Sequence, residues 1–520
     1  MIVDQTETAA PASVGQTAAT LRSRGALHRI FSFPVVLGAL LVVLTVFTIR
    51  GRFNDPDMWW HLKTGEIIWN THHIPAVDLF SFTANGQPWT AQEWLSELTI
   101  YGAYHFGGYS GLMLWLFVLA SLTIIAGYAL CWLYSGNPKV AFLGGAGIWL
   151  FSTVGLAIRP QMIGYLLLIC ELLVLHLGRT RNVRWFFALP PLFALWINCH
   201  SSFAFGLLVL AITLGCSFLK LRVGLLVSKR WERRTRNLLA VSFALSLAAL
   251  FLNPIGPKLL LFPLEVTLKE PLITNIISEW RPADFSEVRG WALLGAAGLV
   301  LLVPLLRRSE LALRDFALIA LAFGLAVQHQ KMLFIFGILA MPTLSRLLAT
   351  AWDGYQPERD SVLVSASMMA LAAIFIVLTF PSTRYLNEQV NKHNPVKALE
   401  FIERSGASGR MLNEYAYGGY LIWAAPKGKV FIDGRCDLYD HAGVLAEYIK
   451  WATLQEDPRV LLDKYRISLC LLPKNARIAR VIPLLPGWKS IYSDDTAVVF
   501  ARTTATKPVP ARTGVPPKRM

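Results

Sequence analysis

Long apolar runs separated by short polar breaks dominate the chain. The apolar blocks lie near residues 33–50, 110–134, 140–157, 161–178, 185–199, 203–220, 238–252, 291–306, 315–327, 332–348 and 362–380. A helix of about 20 apolar residues crosses a bilayer, so the pattern predicts about eleven spans, the shorter blocks being the weakest examples. Two segments break the rhythm. Residues 51–109 are too long for a connector; within them Met58–Trp69 and Ala91–His105 read as amphipathic helices, rich in Trp and Tyr, lying along the membrane surface. Between them Ile74-Pro75-Ala76-Val77-Asp78 and Ala84-Asn85-Gly86-Gln87-Pro88-Trp89 carry turn chemistry.

The second break follows residue 380. Over residues 390–503 the pattern predicts a helix at Asn394–Glu403, buried strands at Lys429–Asp433 and Ile467–Leu472, and a closing strand at Thr496–Ala501. That describes an α/β domain of about 110 residues, long enough to fold alone. The expected organisation is therefore a tail (1–32), a transmembrane bundle (33–380) that includes the loop 51–109, the α/β domain (390–503) and a basic tail (504–520). Both tails have the composition of disordered chain.

Composition adds the class. With 54% hydrophobic residues, 16% charged residues and a mean hydropathy of +0.47, the chain is too apolar for a soluble globular protein. Residues 1–30 and the first apolar block do not read as a cleaved signal, so that block is expected to stay as the first span. A net charge of +16 can suggest nucleic acid, but the basic residues sit in short loops between the predicted spans, where the positive-inside bias explains them better. Arg22, Arg24 and Arg29; Arg179, Arg181 and Arg184; Lys229, Arg230, Arg233, Arg234 and Arg236; and Arg307, Arg308 and Arg314 all fall on one side of the predicted bundle. The positive-inside bias makes that side cytoplasmic, with the N terminus there and the α/β domain outside.

The opposite loops hold a different set of residues. They contain Asp55, Asp57, His61 and Glu66; Arg159-Pro160-Gln161; Asn198-Cys199-His200-Ser201; Asn253-Pro254-Ile255-Gly256; Ser278-Glu279-Trp280-Arg281; and Gln328-His329-Gln330-Lys331. Ionisable groups at helix ends suggest a polar site facing one side of the membrane. The plainer alternative is that they are caps and ordinary loop residues; an Asp before a Pro at the first helical position, as at Asp55, suits an N-cap. If Asp57 opens the helix that follows, it lies one turn from His61 on one face.

In the C-terminal domain, Tyr417-Gly418-Gly419-Tyr420-Leu421 and Phe431-Ile432-Asp433-Gly434-Arg435-Cys436-Asp437-Leu438-Tyr439 carry the most specific local chemistry. Asp433 and Arg435 flank a glycine at a predicted strand end, which suits either a ligand-facing turn or an internal salt bridge. Six cysteines stand singly, without zinc spacing; only Cys436 and Cys470 share this domain, where a disulfide between them is one option. No phosphate loop, GxSxG elbow, HExxH motif or tandem repeat is present.

The order of one span, a long outer loop opening on acidic residues, surface helices, further spans and a C-terminal outer domain resembles the GT-C superfamily of membrane glycosyltransferases. Asp55-Pro56-Asp57-Met58-Trp59-Trp60-His61-Leu62, Gly418-Gly419-Tyr420-Leu421 and Phe431-Ile432-Asp433-Gly434-Arg435 look like the motifs of a group of bacterial multipass proteins. Members of the superfamily usually have adjacent acids in this loop, whereas here the pair is split by Pro56. The resemblance implies transfer of a sugar, with inversion, from a polyprenyl-phosphate carrier to a glycan, lipid or protein acceptor, in the bacterial inner membrane. It implies Asp57, then Asp55, as general base or as ligand of a divalent cation such as Mg or Mn. His61, Arg159, His200, Glu279, Arg281, His329, Lys331, Asp433 and Arg435 are the candidates for binding substrate. A transporter or flippase, or a non-catalytic assembly factor for exported polysaccharide or glycolipid, is the competing reading. Glu171 and His176 are the main ionisable groups inside the predicted spans.

Overall fold

The computed structural model describes residues 25–269 and 280–503, with side chains described outside 264–279. Residues 1–24, residues 504–520 and Glu279 lie outside the described residues, so the expected tails are not characterised. The chain divides into two compact units. One comprises residues up to 78 and 88–389; the other comprises 79–87 and everything from 390 onward.

The first unit is helical. Its elements are α1 (Ala26–Ile30), α2 (Phe33–Ile49), α3 (Met58–Thr71), α4 (Trp94–Ser135), α5 (Pro138–Ser152), α6 (Gln161–Thr180), α7 (Leu189–Cys199), α8 (Phe203–Phe218), α9 (Arg233–Ala249), α10 (Lys258–Lys269), α11 (Val288–Arg307), α12 (Leu313–Gln328), α13 (Leu333–Leu347) and α14 (Val362–Thr379). A helix occupies each of the apolar blocks read from the sequence. Among the described residues four helices, α4, α6, α11 and α14, are long and apolar enough to cross a membrane. Three shorter apolar helices, Phe33–Ile49, Val183–Cys199 and Phe203–Phe218, accompany them. These are the features of an integral membrane protein.

Helix α13 lies at the centre of the bundle and packs on α4, α5, α11 and α12. It is buried at nearly every position from Leu333 to Leu347, as expected of a helix that is apolar all round. The second predicted surface helix runs into the following span. Its backbone leaves helical geometry only at Gly108 (φ 55°, ψ −142°), so α4 is a surface segment and a span joined by a kink. Helix α3 crosses α4 at Gly65, where a Cβ would come within 2.2 Å of the Glu97 carbonyl oxygen and 2.8 Å of the Tyr101 Cβ. Replacing Gly65 with alanine is expected to force the two helices apart and lower stability by ~1–3 kcal/mol, checked by the thermal midpoint of the detergent-solubilised chain.

A small three-stranded sheet, β1 (Leu221–Val223), β2 (Leu226–Ser228) and β3 (Leu311–Ala312), joins the loops after α8 and α11. Strand β1 pairs antiparallel with β2, and β2 pairs parallel with β3. Loop one has a narrow neck: Val77 bridges Pro88, and the Trp89 N–H donates to the Ala76 carbonyl at 3.0 Å. The residues between, 79–87, belong to the second unit.

Helix α15 (Thr383–His393) spans the division at residue 389. The second unit continues with α16 (Val396–Ser405), β4 (Arg410–Asn413), α17 (Tyr415–Ala424), α18 (Cys436–His441), α19 (Val444–Ala452), α20 (Pro458–Lys464), β5 (Ile467–Pro473), β6 (Trp488–Ser493) and β7 (Ala497–Arg502). The strands form one mixed sheet in the order β4-β5-β7-β6, parallel only between β4 and β5. Residues Ala398, Leu399 and Ile402 of α16 and the β5 run Leu469-Cys470-Leu471-Leu472 are buried in its core.

Residues 430–433 are buried as expected, whereas Lys429 is exposed, and the segment is not a strand of this sheet. Its peptide groups are taken by other partners. Val430 N–H donates to the Phe80 carbonyl and the Phe82 N–H to the Val430 carbonyl, both at 3.0 Å. The Asn413 side chain accepts from Phe431 N–H and donates to the Ile432 carbonyl, each at 2.8 Å. Gly418 of α17 lies against the same segment, where a Cβ would meet the Ile432 oxygen at 2.1 Å. Cys436 and Cys470 are buried free thiols, and the Cys436 Sγ lies 2.6 Å from the Tyr415 Oη.

Candidate functional site

Asn54-Asp55-Pro56-Asp57 leads into α3 without a side-chain cap. Asp57 occupies the N-cap position and Asp55 lies two residues earlier, so the expected capping by Asp55 does not occur. Instead the Asp55 Oδ1 accepts the Asp57 N–H at 2.9 Å, a turn that sets both carboxylates beside the loop before α6. There Arg159 joins them: its Nε is 2.5 Å from Asp55 Oδ2 and its Nη2 is 3.0 Å from Asp57 Oδ2. The Asp55 side chain is 9% exposed, and those of Asp57 and Arg159 are each 18% exposed.

One turn into α3, His61 is buried, and its ring lies 3.6 Å from that of Trp60. Its Nδ1 is 3.0 Å from Glu97 Oε1 and its Nε2 is 3.8 Å from Glu93 Oε2. Glu93 also meets His200, whose Nε2 is 3.3 Å from Glu93 Oε1. The start of α4 is fixed against the end of α7 by Trp94 Nε1 donating to Asn198 Oδ1 at 2.9 Å and Ser96 Oγ donating to the Cys199 carbonyl at 2.8 Å. These bonds hold Glu93 between the two imidazoles and Glu97 against His61.

The hydrogen bonds assign the tautomers. His200 Nδ1 accepts the Ser202 N–H at 3.1 Å, so a neutral ring carries its proton on Nε2, toward Glu93. Burial holds the His61 imidazolium well below its usual range, with the Arg159 and His200 charges adding to the effect. Burial likewise pushes His200 down to about 3, helped by the Lys331 charge. Both rings are therefore neutral at pH 7.

The sign for stability follows. The unfolded chain takes up protons at these rings near pH 6.5 and the folded chain does not, so stability falls as pH drops below about 6.5, by up to about 1.4 kcal/mol per pH unit for each ring. Thermal midpoints between pH 7.5 and 5 are expected to decline, and His61→Gln is expected to flatten the slope.

The Lys331 effect places that residue near His200. Lys331 Nζ lies 2.8 Å from the centroid of Trp280, and His329 Nδ1 is 2.8 Å from the Trp280 carbonyl oxygen. The Gln330 N–H donates to the exposed Arg281 at its carbonyl, again at 2.8 Å. Asp55, Asp57, Arg159, His61 and His200 are thus brought into one polar cluster; Lys331 acts on its His200 end, while His329 and Arg281 are placed only around Trp280, Arg281 through its main-chain carbonyl. Glu93 and Glu97 complete the cluster. Sequence reasoning passed over these two because they read as the polar face of a surface helix, although their i, i+4 spacing signalled a shared face.

Asp433 and Arg435 form a separate network in the second unit. Both side chains are 0% exposed. Arg435 donates through Nε to Asp433 Oδ1 at 2.8 Å and through Nη2 to Oδ2 at 2.7 Å, and the Tyr439 hydroxyl donates to Oδ2 at 2.5 Å. The Phe80 ring lies 4.8 Å from the guanidinium.

Carboxylates suit an oxygen-preferring divalent cation, but Asp55 and Asp57 each turn one oxygen to Arg159, and the other oxygen of Asp55 accepts the Asp57 N–H. Among the described residues no three His, Cys, Asp or Glu side chains converge on a point that would hold a metal ion. The residues as arranged do not fit such a cation.

No protein-family model matches the sequence, and no curated relative matches it. Solved structures do match. The oligosaccharyltransferase of Archaeoglobus fulgidus, tethered by a disulfide to an acceptor peptide containing the NVT sequon, aligns with a TM-score of 0.52 at 13% identity, over 92% of this chain and 75% of that one. ArnT from Cupriavidus metallidurans bound to undecaprenyl phosphate aligns with a TM-score of 0.48 at 12% identity, over 91% and 99%. The same archaeal enzyme, AglB, with an inhibitory peptide and a dolichol-phosphate, gives 0.49 at 10% identity, over 90% and 74%. At these identities the likeness is one of architecture, and the first alignment carries it: this chain has the fold of the archaeal oligosaccharyltransferase.

Proposed function

We propose that the protein is a membrane glycosyltransferase that moves a sugar from a polyprenyl-phosphate carrier to a glycan, lipid or protein acceptor. The observation that supports it most is the Asp55–Arg159–Asp57 group, set at helix ends on an oligosaccharyltransferase fold. The proposed orientation places this group and the C-terminal unit outside, with the N terminus cytoplasmic in a bacterial inner membrane, following the segregation of basic loops.

A carrier-linked sugar already bears its leaving group, so the protein must orient the acceptor, remove its proton and stabilise the phosphate. Asp57 is the better base of the two because it is the more exposed, while Asp55 is spent on the Asp57 N–H and Arg159. The acceptor oxygen attacks the anomeric carbon, the bond from that carbon to the phosphate oxygen breaks, and the acceptor proton passes to Asp57. A single displacement inverts the anomeric centre. Arg159 and Lys331 supply cations for the charge that develops on the phosphate. His200, neutral with its proton toward Glu93, and His61 act as hydrogen-bonding groups that position the wall of the site.

The test is transfer of labelled sugar from a panel of polyprenyl-phosphate donors by the full chain in lipid. Product formation supports the reading. Saturable donor binding with no turnover on any acceptor class would replace it with a binding or transport role.

A further inference from the structure

The helices that begin at the candidate site end at a second polar chamber. Helix α6 starts beside Arg159 and runs 20 residues to Thr180, about 30 Å at 1.5 Å per residue. Helix α13 starts beside Lys331 and carries Arg346 in its last turn. Here, between the ends of α6, α8, α12 and α13 and the β1–β3 sheet, lies a cavity of about 200 Å³ lined by Arg179, Lys229, Trp231, Glu310, Arg314 and Arg346.

Its charges do not balance within the protein. Glu310 is shared by Lys229 at 3.4 Å and Arg222 at 3.7 Å. Asp315 is taken by Arg314 through two bonds to Oδ1, at 2.7 and 3.0 Å, and lies 3.3 Å from Arg346. Arg179 has no carboxylate partner among the described residues and lies 5.2 Å from the Trp231 ring centroid. The Arg346 Nε and Nη2 are shielded from solvent and have no hydrogen-bond acceptor; Asp315, though near, is poorly aligned to accept. Donors of this kind, buried without an acceptor, cost free energy until one is supplied. Arginines spaced around a small cavity with an indole wall match the fork geometry that guanidinium offers to phosphate.

We propose that this chamber is a binding site for an anionic phosphate group, distinct from the candidate site at the other ends of α6 and α13. The phosphate can be carried by the headgroup of an anionic phospholipid or be free in solution. A headgroup is favoured by the position of the chamber at the ends of apolar helices.

The test uses the full chain in detergent. Its thermal midpoint is followed while titrating dioleoylphosphatidylglycerol, the phosphate-free dioleoylglycerol, and inorganic phosphate. The expected result is saturable stabilisation by phosphatidylglycerol and not by dioleoylglycerol, with the midpoint concentration raised about tenfold in Arg346→Gln, the loss of charge-assisted bonds to one guanidinium. The double variant Arg179→Gln/Lys229→Gln changes two rim groups and gives the same shift if Arg346→Gln fails to fold. Stabilisation by inorganic phosphate that competes with the lipid assigns the site to free phosphate and equally supports it. No preference for phosphatidylglycerol over dioleoylglycerol together with no effect of phosphate, or affinities unchanged in the variants, overturns the proposal.

Discussion

Asp57→Asn is expected to lower sugar transfer by about 10²–10⁴-fold at saturating donor, the contribution of a positioned general base. The substitution preserves shape, and Arg159 keeps Asp55 as its partner at 2.5 Å, so the fold should persist. The loss should therefore fall on kcat. Asp55→Asn is expected to act differently. It keeps an amide oxygen for the Asp57 N–H but removes the charge that holds the Arg159 Nε, loosening a cation proposed to meet the phosphate, so KM for the carrier should rise along with a smaller loss in kcat. Kinetics on both variants separate the two roles. An Asp57→Asn enzyme within a few-fold of wild type would remove Asp57 from the proton-transfer step.

The largest expected effect on stability lies in the second unit. Asp433→Ala leaves the Arg435 guanidinium, 0% exposed, without its carboxylate and strips the Tyr439 hydroxyl of its acceptor. Breaking a buried pair by removing one partner costs ~3–5 kcal/mol. Hydrogen exchange of β4 and β5 within the full chain should rise accordingly. Replacing the pair together, Asp433→Ala with Arg435→Met, should recover part of the loss, because the uncompensated charge is gone. If the single variant exchanges like wild type, the network contributes little to stability and a role for it would have to be sought elsewhere.

The helices were legible because an apolar run bounded by polar residues has few other places to be, and a helix stands at each such run. Asp55, Asp57 and His61 were legible for the same reason: charged groups beside apolar blocks stand out. Glu93 and Glu97 were not, since a carboxylate on an amphipathic helix reads as solvated until the neighbouring helix ends are placed around it. The 221–228 hairpin escaped notice because its third strand, Leu311–Ala312, lies some 80 residues later and two residues give no period to detect. Residues 430–433 were correctly read as buried, but Lys429 is exposed and the segment is not the predicted strand, because a local pattern carries no information about partners. Its main-chain partners are Phe80 to Phe82 and the Asn413 side chain rather than a neighbouring strand.

That pairing bears on biosynthesis. Ser81 bridges Val430 and Thr83 bonds Phe431, partners separated by about 350 positions along the polypeptide. A ribosome adding ~5–20 residues per second makes Leu79–Gln87 tens of seconds before Val430 exists. The strap must wait, unpaired, through insertion of the intervening helices. The C-terminal unit accordingly has high contact order and is expected to be the last part of the protein to mature. A fragment beginning at residue 390 would lack the strap, leaving the Val430 N–H and the Val430 and Phe431 carbonyls without these partners and uncovering the face of Arg435 that Phe80 shields.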